Sequence, residues 1–164
     1  MMNWTTRPMT PGDWAMVSFI YSEGISSRIA TFTTAMPTLE EWFGTHMNVG
    51  RLILENEQGQ ICGFTCLTQP RGCCAYGGFA ELSIYIADEW QGKGAGTFLL
   101  NALVEESEKQ GIWTLASWIF KKNEPSLKLH KACGFREVGY HEKIGKLDGQ
   151  WIDIIVMERR SPNL

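Results

Sequence analysis

The stretch from Ala80 to Leu100, AELSIYIADEWQGKGAGTFLL, puts a carboxylate at the head of a strand-like run, then three closely spaced glycines, then an apolar segment. Glu81, Ser83 and Tyr85 alternate with Leu82, Ile84 and Ile86, which is the pattern of a strand with two unlike faces. The run Gln91, Gly92, Lys93, Gly94, Ala95, Gly96, Thr97 breaks that alternation. A helix is expected from about Gly94 to Gln110, with Gly111 capping its end. A helix start exposes backbone N–H groups that lack intrahelical partners, and the helix dipole adds partial positive charge. Glycines let a bulky anion approach the backbone closely. Strand, glycine turn and helix in that order therefore make a phosphate or pyrophosphate site, to which Lys93 adds a full charge. The dinucleotide pattern G-x-G-x-x-G fails because Thr97 stands where its last glycine belongs, and no G-x-x-x-x-G-K-[ST] run exists. A tight connection that binds nothing has the same local pattern, so this stretch alone leaves both readings open.

Outward from there, Trp4 to Pro8 reads as a first strand. Thr10 to Asp13 supplies helix-start chemistry, and Trp14, Val17, Ile20 and Tyr21 recur at helical spacing. That helix is expected to end near Glu23 and Gly24, with an irregular stretch to Pro37. Thr38 and Glu41 match a capping box for a second helix through about Met47. A hairpin follows, Arg51 to Glu55 and Gln60 to Thr68, then a loop from Arg71 to Gly78 and the Ala80–Ala87 strand. Beyond the glycine turn and its helix, Ile112 to Phe120, with Trp113 and Trp118, reads as a buried strand. Asn123 to Ser126 starts a helix that Gly134 stops. Phe135 to Tyr140 begins another strand, and Asp148-Gly149 signals a hairpin to Gln150–Glu158. The last residues, Glu158 to Leu164, look like a short frayed tail. The expected order is β-α-α-β-β-β-α-β-α-β-β, a mixed sheet with helices on its faces, in the α/β (α+β) class.

The chain of 164 residues fits one domain, and a 44% apolar fraction is enough for a core. The net charge of −3 comes with no basic run, which argues against a nucleic-acid partner. No stretch approaches the length of a membrane span, and the N-terminus lacks the apolar segment of a secretory signal, so a cytoplasmic protein is expected. The five cysteines, Cys62, Cys66, Cys73, Cys74 and Cys133, show no zinc-ligand spacing and read as reduced thiols. No metal is expected.

Q-G-K-G-A-G resembles the pyrophosphate loop of the GNAT superfamily of N-acetyltransferases. "AELSIYI" resembles the strand before that loop in the phosphinothricin acetyltransferase-like subgroup. "NEPSLKLHKACGF" resembles the subgroup's downstream block, "IYSEGISSRIATF" its first helix and substrate loop, and "DGQWID" its last hairpin. The likeness runs from about Arg7 to Arg159. It implies a GNAT fold over residues 1–164, whose central sheet splays between its fourth and fifth strands. It implies acetyl-CoA as donor and a homodimer. Backbone groups of Ile84, Tyr85 and Ile86 would then run beside the pantetheine, the amides from Gln91 to Thr97 would hold the pyrophosphate, and Asn123 and Ser126 would contact the pantetheine arm.

An amine is mostly protonated near neutrality, so transfer to it needs a base. Glu81 is the candidate by its matching position; an exposed strand-end glutamate is the other reading. His130, in the helix before Gly134-Phe135, is either a proton donor to the leaving thiolate or a core residue, and Tyr85 is either a second donor or packing. An amino-acid carboxylate favours an arginine partner. Arg28 and Arg71 lie where the subgroup builds its acceptor pocket, with Thr31, Phe32, Tyr76 and Phe79 as wall candidates; surface solvation and loop packing are the alternatives. The subgroup carries W-H-D in its last hairpin, whereas this chain has Trp151-Ile152-Asp153. The resemblance thus implies acetyl transfer to a small amino acid or analogue, of phosphinothricin, methionine sulfone or sulfoximine type. A protein N-terminus or a polyamine as acceptor, and a non-catalytic acyl-CoA-binding module, are the rival readings.

Overall fold

A computed structural model describes residues 1–70 and 74–164. Seven strands form one sheet: β1 (Thr5–Pro8), β2 (Leu52–Glu55), β3 (Ile61–Thr68), β4 (Phe79–Ile86), β5 (Thr114–Phe120), β6 (Arg136–Leu147) and β7 (Gln150–Arg160). Their spatial order is β1-β2-β3-β4-β5-β7-β6. All neighbours are antiparallel except β4 and β5. The helices are α1 (Trp14–Ser27), α2 (Leu39–Thr45), α3 (Ala95–Lys109) and α4 (Glu124–Ala132). The order of elements is the one expected from the sequence.

The strand alternation sorts the core into two layers. Ala80 and Leu82 of β4 turn toward α3, where they meet Leu99, Leu100 and Leu103. On the other face, Phe64 and Cys66 of β3 bury against Val17 and Ile20 of α1 and Trp42 of α2. The start of α2 follows from its sequence, its end from a contact with β3. Thr38 Oγ1 accepts the Glu41 N–H at 3.2 Å, and the Glu41 carboxylate accepts the Thr38 N–H at 2.8 Å. The helix stops at Thr45 rather than Met47, because the Met47 N–H is taken by the Leu67 carbonyl of β3.

Three expectations need correction. First, α1 does not end at Gly24 but runs to Ser27, where Arg28 adopts a left-handed φ of 58°. Gly24 is glycine for a different reason: a Cβ there would lie 2.8 Å from the Tyr85 ring. Second, β5 is buried except at Trp118, which is 45% exposed; Trp113 just ahead of the strand is exposed as well. Third, the C-terminus is not frayed. β7 continues through Arg160, the Ser161 N–H donates to the Trp113 carbonyl at 2.8 Å, and Arg159 pairs with Glu108 at 2.9 Å. The Asp148-Gly149 turn forms as read, with φ of 50° and 76°, which suits a tight hairpin.

Candidate active site

β4 and β5 are register partners only from Phe79 to Glu81 and from Thr114 to Ala116; beyond that rung they separate. Backbone direction along β4 is fixed at both ends. The Gly78 carbonyl accepts N–H groups from the β5 side, and the Ala87 N–H donates to Cys62 of β3. Backbone groups alternate along a strand, so those of Ile84 and Ile86 face the gap. The Ile86 carbonyl is met there by Gln91 Nε2 at 3.1 Å.

The gap opens into a groove of about 540 Å³. Its walls come from α1 at Ile20, Glu23 and Gly24, from the turn at Gln91, Gly92, Gly94, Gly96 and Thr97, and from the start of α4 at Asn123 and Ser126. A smaller slot of about 60 Å³ continues between the strands, past Ser83, Ile84, Ser117, Trp118 and His130.

At the turn, Gly92 and Gly94 adopt φ of 71° and 83°, and a Cβ on either would point into open space. The Phe98 N–H bonds the Gly94 carbonyl at 3.1 Å, the first bond of α3. The amides of Ala95, Gly96 and Thr97 are left free, as a helix start requires. Gly96 has a packing reason too, since a Cβ there would press on Leu129 of α4 at 3.1 Å. Lys93 differs from expectation: its Nζ lies over the Trp90 ring, 4.8 Å from the centroid, and the residue is not part of the groove wall.

Asn123 caps α4, its Oδ1 accepting the Ser126 N–H at 3.3 Å. His130 is fully buried. Its Nδ1 lies 2.7 Å from the Ser126 carbonyl, so Nδ1 carries the proton and donates it there. Nε2 is then an acceptor, and it has no partner. Burial also holds the imidazolium pKa below its ordinary value. The neutral ring therefore has no proton to give at Nε2, which weighs against the donor reading of His130.

Glu81 sits on the last paired rung of the gap, opposite Ala116. Its carboxyl is half-buried on the face that α1 covers, and burial pushes its pKa up. It lines neither the groove nor the slot. Tyr85 shares its face. The Tyr85 ring stacks on Phe64 at 5.3 Å and meets Tyr21 edge-on at 5.1 Å. Burial raises the phenol pKa, which keeps it protonated.

The expected acceptor residues do not form one cluster. Arg28 turns to the β6–β7 hairpin and pairs with Asp148 at 3.2 Å. Phe32 packs on Phe120 at 4.7 Å and over Gly145, where a Cβ would come within 2.9 Å of its ring. Tyr76 is exposed. Arg71 lies outside the described residues. Asp153 accepts from the Tyr140 hydroxyl and from the Lys143 N–H, pinning the irregular part of β6, while Ile152 is buried beside Phe120 and Leu147. Sequence reasoning missed Glu23, whose carboxylate accepts the Asp88 N–H at 3.0 Å and ties α1 to the glycine turn. Ending α1 at Gly24 hid it. Among the described residues no group of His, Cys, Asp or Glu could hold a metal ion, and no helix is long and apolar enough to cross a membrane.

A splayed mixed sheet with a glycine turn aimed into the splay suits an extended, phosphate-bearing ligand laid along β4. Residues 14–135 match the family model described as "Acetyltransferase (GNAT) family", and the chain belongs to that family of N-acetyltransferases. It is 36% identical over 159 residues to YwnH of Bacillus subtilis, a protein named provisionally as a phosphinothricin acetyltransferase, with 94% of this chain and 98% of that one covered. It is 27% identical over 162 residues to the L-methionine sulfoximine/L-methionine sulfone acetyltransferase of Pseudomonas aeruginosa, with 96% and 94% covered. Among solved structures, the phosphinothricin acetyltransferase of Sinorhizobium meliloti in complex with AcCoA superimposes with a TM-score of 0.87 at 28% identity, covering 97% and 89%.

Proposed function

We propose that this chain transfers the acetyl group of acetyl-CoA to the amino group of a small amino acid or amino-acid analogue by direct attack. One observation carries the donor half: the unpaired β4 edge at Ile84 and Ile86 leads into the free amides at the start of α3. A strand edge offers alternating donors and acceptors to the two amides of pantetheine, and a helix start suits a pyrophosphate. The acceptor class rests on the names of the relatives, which concern phosphinothricin and methionine sulfone or sulfoximine.

The thioester supplies the acyl carbon and a leaving thiolate. Glu81 takes the proton from the acceptor ammonium, which frees the nitrogen lone pair. As the C–N bond forms and the C–S bond breaks, the Ile84 N–H donates to the carbonyl oxygen, where charge develops. The new amide nitrogen then sheds its surplus proton, which makes good the one the thiolate takes up, and the proton on Glu81 passes to water. Tyr85 borders both the groove and the slot and is the candidate proton donor to the thiolate. His130 Nε2, an acceptor without a partner in the protein, is free to accept a hydrogen bond from a group that enters the slot. The exposed apolar row Val138, Tyr140, Ile144 and Trp151 on β6 and β7 supports pairing as a homodimer.

The test is CoA release from acetyl-CoA against phosphinothricin, methionine sulfone, methionine sulfoximine, common amino acids, a polyamine and a short peptide. Turnover of an amino-acid-like acceptor supports the proposal. Turnover of the peptide or polyamine alone moves the acceptor class, and acetyl-CoA binding with no turnover of any amine points to a binding module.

A further inference from the structure

Cross-strand partners share a face of a sheet, so the side chains around the gap form rows. Glu81 stands in one row with Ala116 and Glu158, through the pairs Glu81–Ala116 and Ala116–Glu158. Two residues further along β5, on the same face, comes Trp118. Its indole is 45% exposed, although every other residue of β5 is buried. One face of the indole is covered by His141 of β6, at 5.0 Å between centroids and 19° between planes. That near-parallel stack orders the ring on its His141 side, while the residue as a whole stays exposed. Trp118 also borders the slot that leads past Ile84 and Ser83. A rigid aromatic surface thus lies one strand period beyond the candidate base, at the mouth of the cleft where the acyl group would arrive.

We propose that Trp118, held by His141, is the subsite for the acceptor's side chain, and that it selects polarizable side chains of about methionine size. This rests on the reading of an amino-acid-like acceptor given above. An amine placed between Glu81 and the acyl carbon lies on the sheet face that Trp118 shares, and the indole offers its side chain an apolar surface on that face. The indole face has a diffuse negative potential and a polarizable surface, so it favours sulfur-bearing, methyl-bearing or aromatic groups. His141 acts by position, fixing the plane of the ring.

The experiment compares kcat/KM for methionine sulfone and for alanine in wild type, Trp118→Ala, Trp118→Phe and His141→Ala, with acetyl-CoA affinity and sedimentation measured for each. The expected result is a fall of about tenfold in the sulfone-to-alanine ratio in Trp118→Ala, borne mainly by KM, with the ratio largely restored in Trp118→Phe. His141→Ala should lower it by a smaller factor. A wild type that acetylates both while the ratio stays fixed in Trp118→Ala overturns the subsite alone. Equal loss with both acceptors, accompanied by a change of oligomeric state, overturns it in favour of a subunit contact. A wild type that acetylates neither removes the acceptor class and the subsite with it.

Discussion

In the proposed reaction the chemistry turns on Glu81, whose environment would set the pH at which it runs. Burial raises its pKa, so the carboxylate that accepts a proton becomes available only above the ordinary glutamate range. The acid limb of the kcat/KM profile should therefore lie above a free glutamate's pKa, with rate rising as pH rises. Glu81→Gln should lower kcat by about 10² to 10⁴ and abolish that limb, while leaving acetyl-CoA affinity close to wild type. Stopped-flow or thiol-release kinetics from pH 5 to 9 would decide it; an unmoved limb in the glutamine variant assigns the base elsewhere. The sequence marked Glu81 by position but could not show its burial, which depends on the partner strand and on α1. His130 shows the same limit. Its place in α4 was legible, but not the bond from Nδ1 to the Ser126 carbonyl that leaves Nε2 as an acceptor.

Elements were legible where a local rule dictates them. The capping box of α2, the Asn123 cap of α4, the Asp148-Gly149 turn and the alternation of β4 all formed as read. The end of α1 was not, because glycine has two uses and sequence alone does not separate them. At Gly24 the use is close approach to Tyr85, whose ring is fixed between Tyr21 and Phe64. Gly24→Ala should gain about 1 kcal/mol of helix propensity. It should lose about 1–3 kcal/mol to the clash, so the variant is expected to unfold at a lower temperature despite the better helix former. The turn glycines make the opposite case. Gly94 has a left-handed φ of 83° and open space where a Cβ would go. Gly94→Ala should cost about 1–2 kcal/mol from backbone strain alone. Its larger effect should be a raised KM for acetyl-CoA, because that open space is where the phosphates would lie. Equal KM values for Gly94→Ala and wild type would remove the turn from the binding site.

At the scale of the whole molecule, pH acts on stability through the groups that folding takes out of water. Asp13 is held at a pKa of about 2, first by its side-chain hydrogen bonds from Arg7, which it meets at 2.8 and 2.9 Å. This pair joins β1 to the turn that starts α1, so it closes one edge of the layer that covers Tyr85. A carboxylate whose folded pKa lies below its unfolded value adds stability above the unfolded pKa, and that stability is lost as pH falls through the folded one. His130 and His46 act in the same direction at higher pH. Burial lowers both, so the unfolded chain binds protons that the native state refuses once pH drops below about 6.5. Urea midpoints should therefore decline in two stages, one from about pH 7 to 5 and a second below about pH 4. His130→Phe should flatten the first stage, leaving the part due to His46. Asp13→Asn should lose on the order of 1–2 kcal/mol at pH 7, after allowance for solvent screening of Arg7, and close to nothing at pH 2. A midpoint that stays level from pH 7 to 5 in the wild type would mean that His130 takes up its proton in the folded chain. In that case the ring could give a proton to the thiolate after all, and Tyr85 would lose its claim as the donor.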